Sequence, residues 1–139
     1  MILTSCSIYS QKLTCKDFKE GIFIVPKDSL VPFSYKIIRK GNRQIEFAIN
    51  LNEIKDKELR ELPELNQKAF ELIEWVDDCS YKLKYAPSKM SLTKSQQFIN
   101  DNGGILTELI KIKENCFYYK STLKANGKIQ RLDGVFCKS

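Results

Sequence analysis

A chain of 139 residues with 42% apolar and 29% charged side chains has the size and composition of one folded domain, which excludes a disordered or collagen-like chain. It contains no histidine, so Ser-His and Cys-His nucleophile pairs, imidazole metal ligation and histidine pH switching are all removed. The net charge of +6 is dispersed along the chain, no basic patch is interleaved with aromatics, and no apolar run approaches the ~18 residues of a membrane-spanning helix, so neither a nucleic-acid partner nor a transmembrane span is expected.

At the N-terminus, Leu3-Thr4-Ser5-Cys6 has the pattern of a bacterial lipoprotein cleavage box, with Cys6 as the residue that would carry the lipid anchor. The alternative is an ordinary secretory signal whose small-residue tail runs from Ser7 to Ser10 and is cut near Gln11. A third reading makes this segment a polar arm of a cytosolic protein. In the first two, the basic and apolar parts of a signal are missing. The start is therefore expected to be truncated, with residues 1–11 as a remnant and 12–139 as a single domain. Four cysteines then remain, Cys15, Cys79, Cys116 and Cys137, and none is spaced as CxxC. That spacing favours disulfides over zinc or a redox pair, and with them an oxidising compartment: periplasm, outer-membrane surface or extracellular space.

Residues 12–50 read as strands at Ile22 to Val25, Phe33 to Arg39 and Gln44 to Ile49. A three-residue loop at Lys40-Gly41-Asn42 would set Phe33 against Ile49, Tyr35 against Phe47 and Ile37 against Ile45, gathering six apolar residues on one face. Ser34, Lys36, Gln44 and Glu46 would then face water. The basic cluster Lys36, Arg39, Lys40 and Arg43 reads as a solvated hairpin tip.

Residues 51–68 are charged, broken by Pro63, and read as a short helix or a connection. Phe70 to Val76 and Ser80 to Tyr85 form a hairpin about Asp77, Asp78 and Cys79 that sets Trp75 against Tyr81 and Ile73 against Leu83. Asp77 and Asp78 read as turn formers. A helix follows over Ser91 to Asn102, stopped by Gly103-Gly104. Strands at Ile105 to Ile112, Cys116 to Lys124 and Lys128 to Cys137 complete the chain.

Asn126-Gly127 is a type I′ turn signal, and a two-residue turn there makes facing residue numbers sum to about 253, which brings Cys116 opposite Cys137. The same count sets Phe117 opposite Phe136 inside and Lys120 opposite Asp133 outside. Cys15 is left for Cys79. About eight antiparallel strands with one or two short helices, and no alternation of strand and helix, predict a meander curled or closed into a small barrel.

The run Cys15 to Phe23, the later Ile38-Arg39 and Gln44-Ile45-Glu46, and Glu74 to Leu83 resemble a group of small secreted proteins of flavobacteria and relatives. The resemblance spans most of the chain from residue 15. It implies export, usually through an ordinary secretory signal, and brings no established activity. A second similarity, to lipocalin-like barrels, is architectural: their first strand carries Gly-x-Trp where this chain has Gly21-Ile22-Phe23.

The leading functional expectation is a non-catalytic exported binding barrel, without cofactor or metal, holding a small apolar molecule among Tyr35, Phe47, Trp75, Tyr81, Phe117 and Tyr119. A barrel of this size either holds one small ligand or is filled by its own side chains. The alternative is an envelope or extracellular protein that binds a partner protein or glycan through its outer surface. An enzyme is not expected. Its remaining form would be a carboxylate hydrolase using Asp77, Asp78 or Asp133.

Overall fold

A computed structural model of the chain describes residues 12–29 and 31–139. The expected lipidation site Cys6 and the cleavage sites near it lie outside the described residues. Eight antiparallel strands pair in chain order and close first to last: β1 (Gly21–Val25), β2 (Ser34–Lys40), β3 (Arg43–Ile49), β4 (Ala69–Asp77), β5 (Ser80–Tyr85), β6 (Ile105–Lys113), β7 (Cys116–Ala125) and β8 (Lys128–Lys138). Closure leaves few exposed edges, although β1 and β8 meet only at Phe23–Lys138 and Ile24–Cys137. The helices are α1 (Cys15–Lys19), α2 (Lys57–Arg60) and α3 (Lys94–Asp101). None is long and apolar enough to cross a membrane.

The two C-terminal registers follow from turn chemistry. Asn126 and Gly127 both take positive φ, 53° and 72°, as a type I′ turn requires, and the pairing runs unbroken from Ala125–Lys128 to Cys116–Cys137. Phe117 faces Phe136 in the core and Lys120 faces Asp133, as expected. Cys116 is joined to Cys137 and Cys15 to Cys79, bonds that persist in oxidising surroundings. In the β4–β5 hairpin, Trp75 faces Tyr81 and Ile73 faces Leu83, with an irregularity between Trp75 and Asp77 absorbing the extra turn residue.

The β2–β3 hairpin departs from expectation by one residue. Its turn is Gly41-Asn42 alone, with Gly41 at φ 60°, so Tyr35 faces Ala48, Ile37 faces Glu46 and Arg39 faces Gln44. A one-residue change moves every side chain of β3 to the opposite face. Gln44 and Glu46, expected in water, point into the barrel. Phe47 points out, where Lys68 Nζ lies 5.2 Å from its ring centroid. Arg39, expected at a solvated tip, is 1% exposed.

α1 precedes the first expected strand, in a stretch with no expected helix. Thr14 and Asp17 form a reciprocal capping box, and the Cys15–Cys79 bond ties the helix to the β4–β5 turn. Lys19 reinforces the tie through Asp78 at 2.8 Å. The helix carries Phe18 into one end of the barrel, the end that holds the β2–β3, β4–β5 and β6–β7 turns. Phe18 is fully buried there, with ring centroids 5.4–6.1 Å from Phe117, Phe136, Tyr81 and Trp75. Burying one such side chain stabilises by ~1.5–3 kcal/mol. That end is thus plugged, and the longer connections after β1, β3 and β5 lie at the other. α3 is shorter than the expected helix. It starts from a Thr93–Gln96 capping box, and Asn100 docks it by bonding both the N–H and the C=O of Tyr85 at 2.8 Å.

Candidate functional site

The barrel interior divides into a packed half and a hollow half. In the packed half the Arg39 guanidinium lies 4.6–5.7 Å from the ring centroids of Tyr81, Phe18, Phe23, Phe136 and Trp75. Stacked aromatic faces stabilise a desolvated cation. Its N–H groups donate to Gln44 Oε1 at 2.8 Å, to Tyr81 Oη at 2.8 Å and to the Phe18 carbonyl oxygen. All three acceptors are uncharged, so no carboxylate pairs directly with this buried cation.

Gln44 links the halves. While its oxygen accepts from Arg39, its amide nitrogen donates to Glu71 Oε1 at 3.0 Å. Beyond Glu71 is a cavity of about 240 Å³, lined by Val25, Tyr35, Ile37, Gln44, Glu46, Glu71, Tyr81, Leu83, Tyr85, Ile105, Thr107, Tyr119, Ser121 and Phe136. Several of these stand at or near strand ends remote from the plug. Larger hollows of about 440, 370 and 260 Å³ lie beside α1 and Asp78, between α3 and the β7–β8 hairpin, and against β3 and β4 beside Ser88 and Lys89. Of these hollows, the interior cavity alone brings titratable groups together from five strands, β2, β3, β4, β5 and β7.

Glu46 and Glu71 are the chemically distinctive pair. Glu71 is 2% exposed and Glu46 is partly accessible. They stand on neighbouring strands, where Gln44 pairs with Glu71 and Glu46 with Ala69, and both line the same cavity wall. Burial pushes the Glu46 carboxyl up. It pushes that of Glu71 well up, with the charge of Glu46 adding to the effect. Tyr35, Tyr81, Tyr85 and Tyr119 are all raised, chiefly by burial, and stay protonated near neutrality. Thr107 and Ser121 share a hydrogen bond at 3.0 Å on the facing wall.

Of the six aromatics expected to face a ligand, Tyr35, Tyr81 and Tyr119 line the cavity. Trp75 and Phe117 belong to the packed half, with Trp75 partly buried beneath Lys19. Phe47 is outside the barrel. Asp77, Asp78 and Asp133 do not converge: Asp78 pairs with Lys19 and Asp133 with Arg131 at the surface, while Asp77 accepts from the Cys79 N–H within its own turn. The carboxyls that do converge, Glu46 and Glu71, are found in sequence only if Gly41-Asn42 is read as a two-residue turn, a pairing that dipeptide permits.

No protein-family model matches this chain, and no curated protein or solved structure does either.

Proposed function

We propose that this protein is an exported, non-catalytic barrel that binds one small polar molecule in the cavity bounded by Glu46, Glu71, Tyr35, Tyr85 and Tyr119. The observation that carries this reading is the hollow half-barrel itself: a plugged aromatic end set against a void of about 240 Å³ walled by hydrogen-bonding groups. At ~30 Å³ per water that is room for about eight waters, or a ligand of comparable size. The lining favours a polar ligand over the apolar one expected from the aromatic residues. An apolar occupant would strip water from two carboxyls without replacing their hydrogen bonds, at a cost of ~1–3 kcal/mol for each group left unpaired.

The two disulfides and the resemblance to small secreted proteins support export, to the periplasm, the outer-membrane surface or the medium. Native mass spectrometry of the protein recovered from that compartment tests the reading. The expected result is a bound species of defined mass that is lost in Ser121→Phe, which fills the cavity. Bare protein in every preparation would overturn it.

The outer surface favours a second reading, an interaction protein. β6 pairs with β7 only as far as Thr122, so the tip of the β7–β8 hairpin projects past the barrel wall, carrying Ile129 at 65% exposure. Under this reading, Ile129→Asp abolishes cross-linking to an envelope partner and leaves cavity binding intact. Unchanged cross-linking would remove it.

A further inference from the structure

We infer that the ligand of this cavity is a small organic cation carrying a primary ammonium group, read by Glu46 and Glu71 and walled by tyrosine rings. The inference rests on the binding reading above and names its ligand class.

Charge placement carries it. Both carboxyls are on the cavity wall, whereas Arg39, the one buried cation among the described residues, is not. Its N–H groups are committed to Gln44, Tyr81 and the Phe18 carbonyl, and its faces to aromatic rings, so it presents no donor to an incoming anion. A wall with acidic groups of one sign, in a desolvated cavity, discriminates strongly by charge.

Hydrogen-bond capacity is the second observation. Burial favours the protonated form of both carboxyls, and the positive charge of Arg39 offsets this only in part. An ammonium supplies three N–H donors, enough to bond both carboxylates and one further acceptor. Among the described residues, no hydrogen bond to a protein group satisfies the hydroxyls of Tyr35, Tyr85 or Tyr119, so further acceptors and π faces surround the pair. A bare divalent ion fits less well. No group of three His, Cys, Asp or Glu side chains gathers among the described residues, and hard cations take six or more oxygens.

Binding then proceeds by exchange: the ammonium enters and a carboxyl proton of Glu46 or Glu71 leaves to solvent. The groups facing this pair are Arg39 and Tyr35 on β2, Tyr81 and Tyr85 on β5 and Tyr119 on β7. Burial holds the tyrosines protonated, and it raises the carboxyls of Glu46 and Glu71 above the ordinary carboxylate range. Affinity should therefore rise as pH is raised above the ordinary carboxylate range, through the raised pKa of the pair.

Isothermal titration of the oxidised protein with phenethylammonium, 2-phenylethanol, phenylacetate and calcium chloride tests this. The first three share one carbon frame and differ in charge. The expected result is that phenethylammonium binds at least tenfold tighter than the alcohol, phenylacetate and calcium do not bind, and titrations in buffers of different ionisation enthalpy detect proton release. Glu71→Gln and Glu46→Gln, which keep shape and hydrogen bonding, should each lose the charge preference and the proton release. If the alcohol or phenylacetate binds as tightly as the amine, and Ser121→Phe blocks it, the cation inference falls while the binding barrel stands. If calcium alone binds and the glutamine variants abolish it, the organic cation is replaced by a metal. If no probe binds although native mass spectrometry finds a cavity ligand, the inference again falls alone; if neither finds one, both readings fall.

Discussion

Tyr119 lies directly across the sheet from Gly134, and a Cβ built on Gly134 would stand 2.5 Å from Tyr119 Cζ. The glycine is where the tyrosine ring passes over the neighbouring strand, and this lets Tyr119 wall the cavity while Phe136, two residues on, fills the packed half. Gly134→Ala must push that ring into the void. The expected cost is ~1–3 kcal/mol, as for other overpacked interiors, together with loss of cavity binding. Denaturant midpoints and ligand titration on the same variant check both parts.

Arg39 holds the packed half together, and its removal leaves three buried acceptors facing nothing. Arg39→Met should destabilise by roughly 3–5 kcal/mol, the range found when one member of a buried polar network is deleted. Arg39→Lys should recover only part of this, because an ammonium cannot reproduce the planar fork that reaches Gln44, Tyr81 and Phe18 at once. Urea unfolding with an unchanged slope separates this outcome from a change in the denatured state.

The pH dependence of stability has two limbs. Glu46 and Glu71 keep a proton in the folded state at pH values where the unfolded chain, with carboxyls near the usual 4.5, has released it. Stability therefore falls as pH rises above ~4.5, at up to ~1.4 kcal/mol per pH unit for each proton retained. In the other direction, Asp17 is lowered chiefly by the Thr14 N–H, Asp78 by Lys19 and Asp133 by Arg131, and what they contribute is lost as pH falls below about 3.8. The ligand-free protein should thus be most stable on the acid side of neutrality. Glu71→Gln should flatten the alkaline limb. Thermal denaturation from pH 3 to 9 that showed a maximum above pH 7 would contradict the placement of the glutamate pair.

Peptide mapping without reduction should recover Cys15 linked to Cys79 and Cys116 linked to Cys137. The first bond spans 64 residues, for which the chain-entropy model gives roughly 4 kcal/mol. Cys15→Ser with Cys79→Ser should cost most of that and expose Trp75, since α1 and Lys19 lose their tether over it. A red shift in Trp75 emission, the chain having a single tryptophan, reports the change.

Local chemistry was sufficient wherever a turn dictates its own geometry. Asn126-Gly127 admits one hairpin twist, and counting outward from it places Cys116 against Cys137 and Phe117 against Phe136. Trp75, Tyr81, Ile73 and Leu83 sort to one face because the alternation of apolar and charged residues in β4 and β5 matches a sheet with one dry side. The β2–β3 hairpin obeys a different rule. Its alternation points to an apolar inner face, and the protein instead turns Gln44 and Glu46 inward. Polar groups enter a barrel only when distant strands supply their partners, and here they do: Tyr81 reaches Arg39 across 42 residues and Glu71 reaches Gln44 across 27. α1 has a local signal in Thr14 and Asp17, but five residues are too few to show a helical period, and the Cys15–Cys79 bond and the socket for Phe18 hold it in place. Period and turn type act between neighbours and can be read along the chain, whereas the satisfaction of buried charge depends on closure, which only the assembled barrel decides.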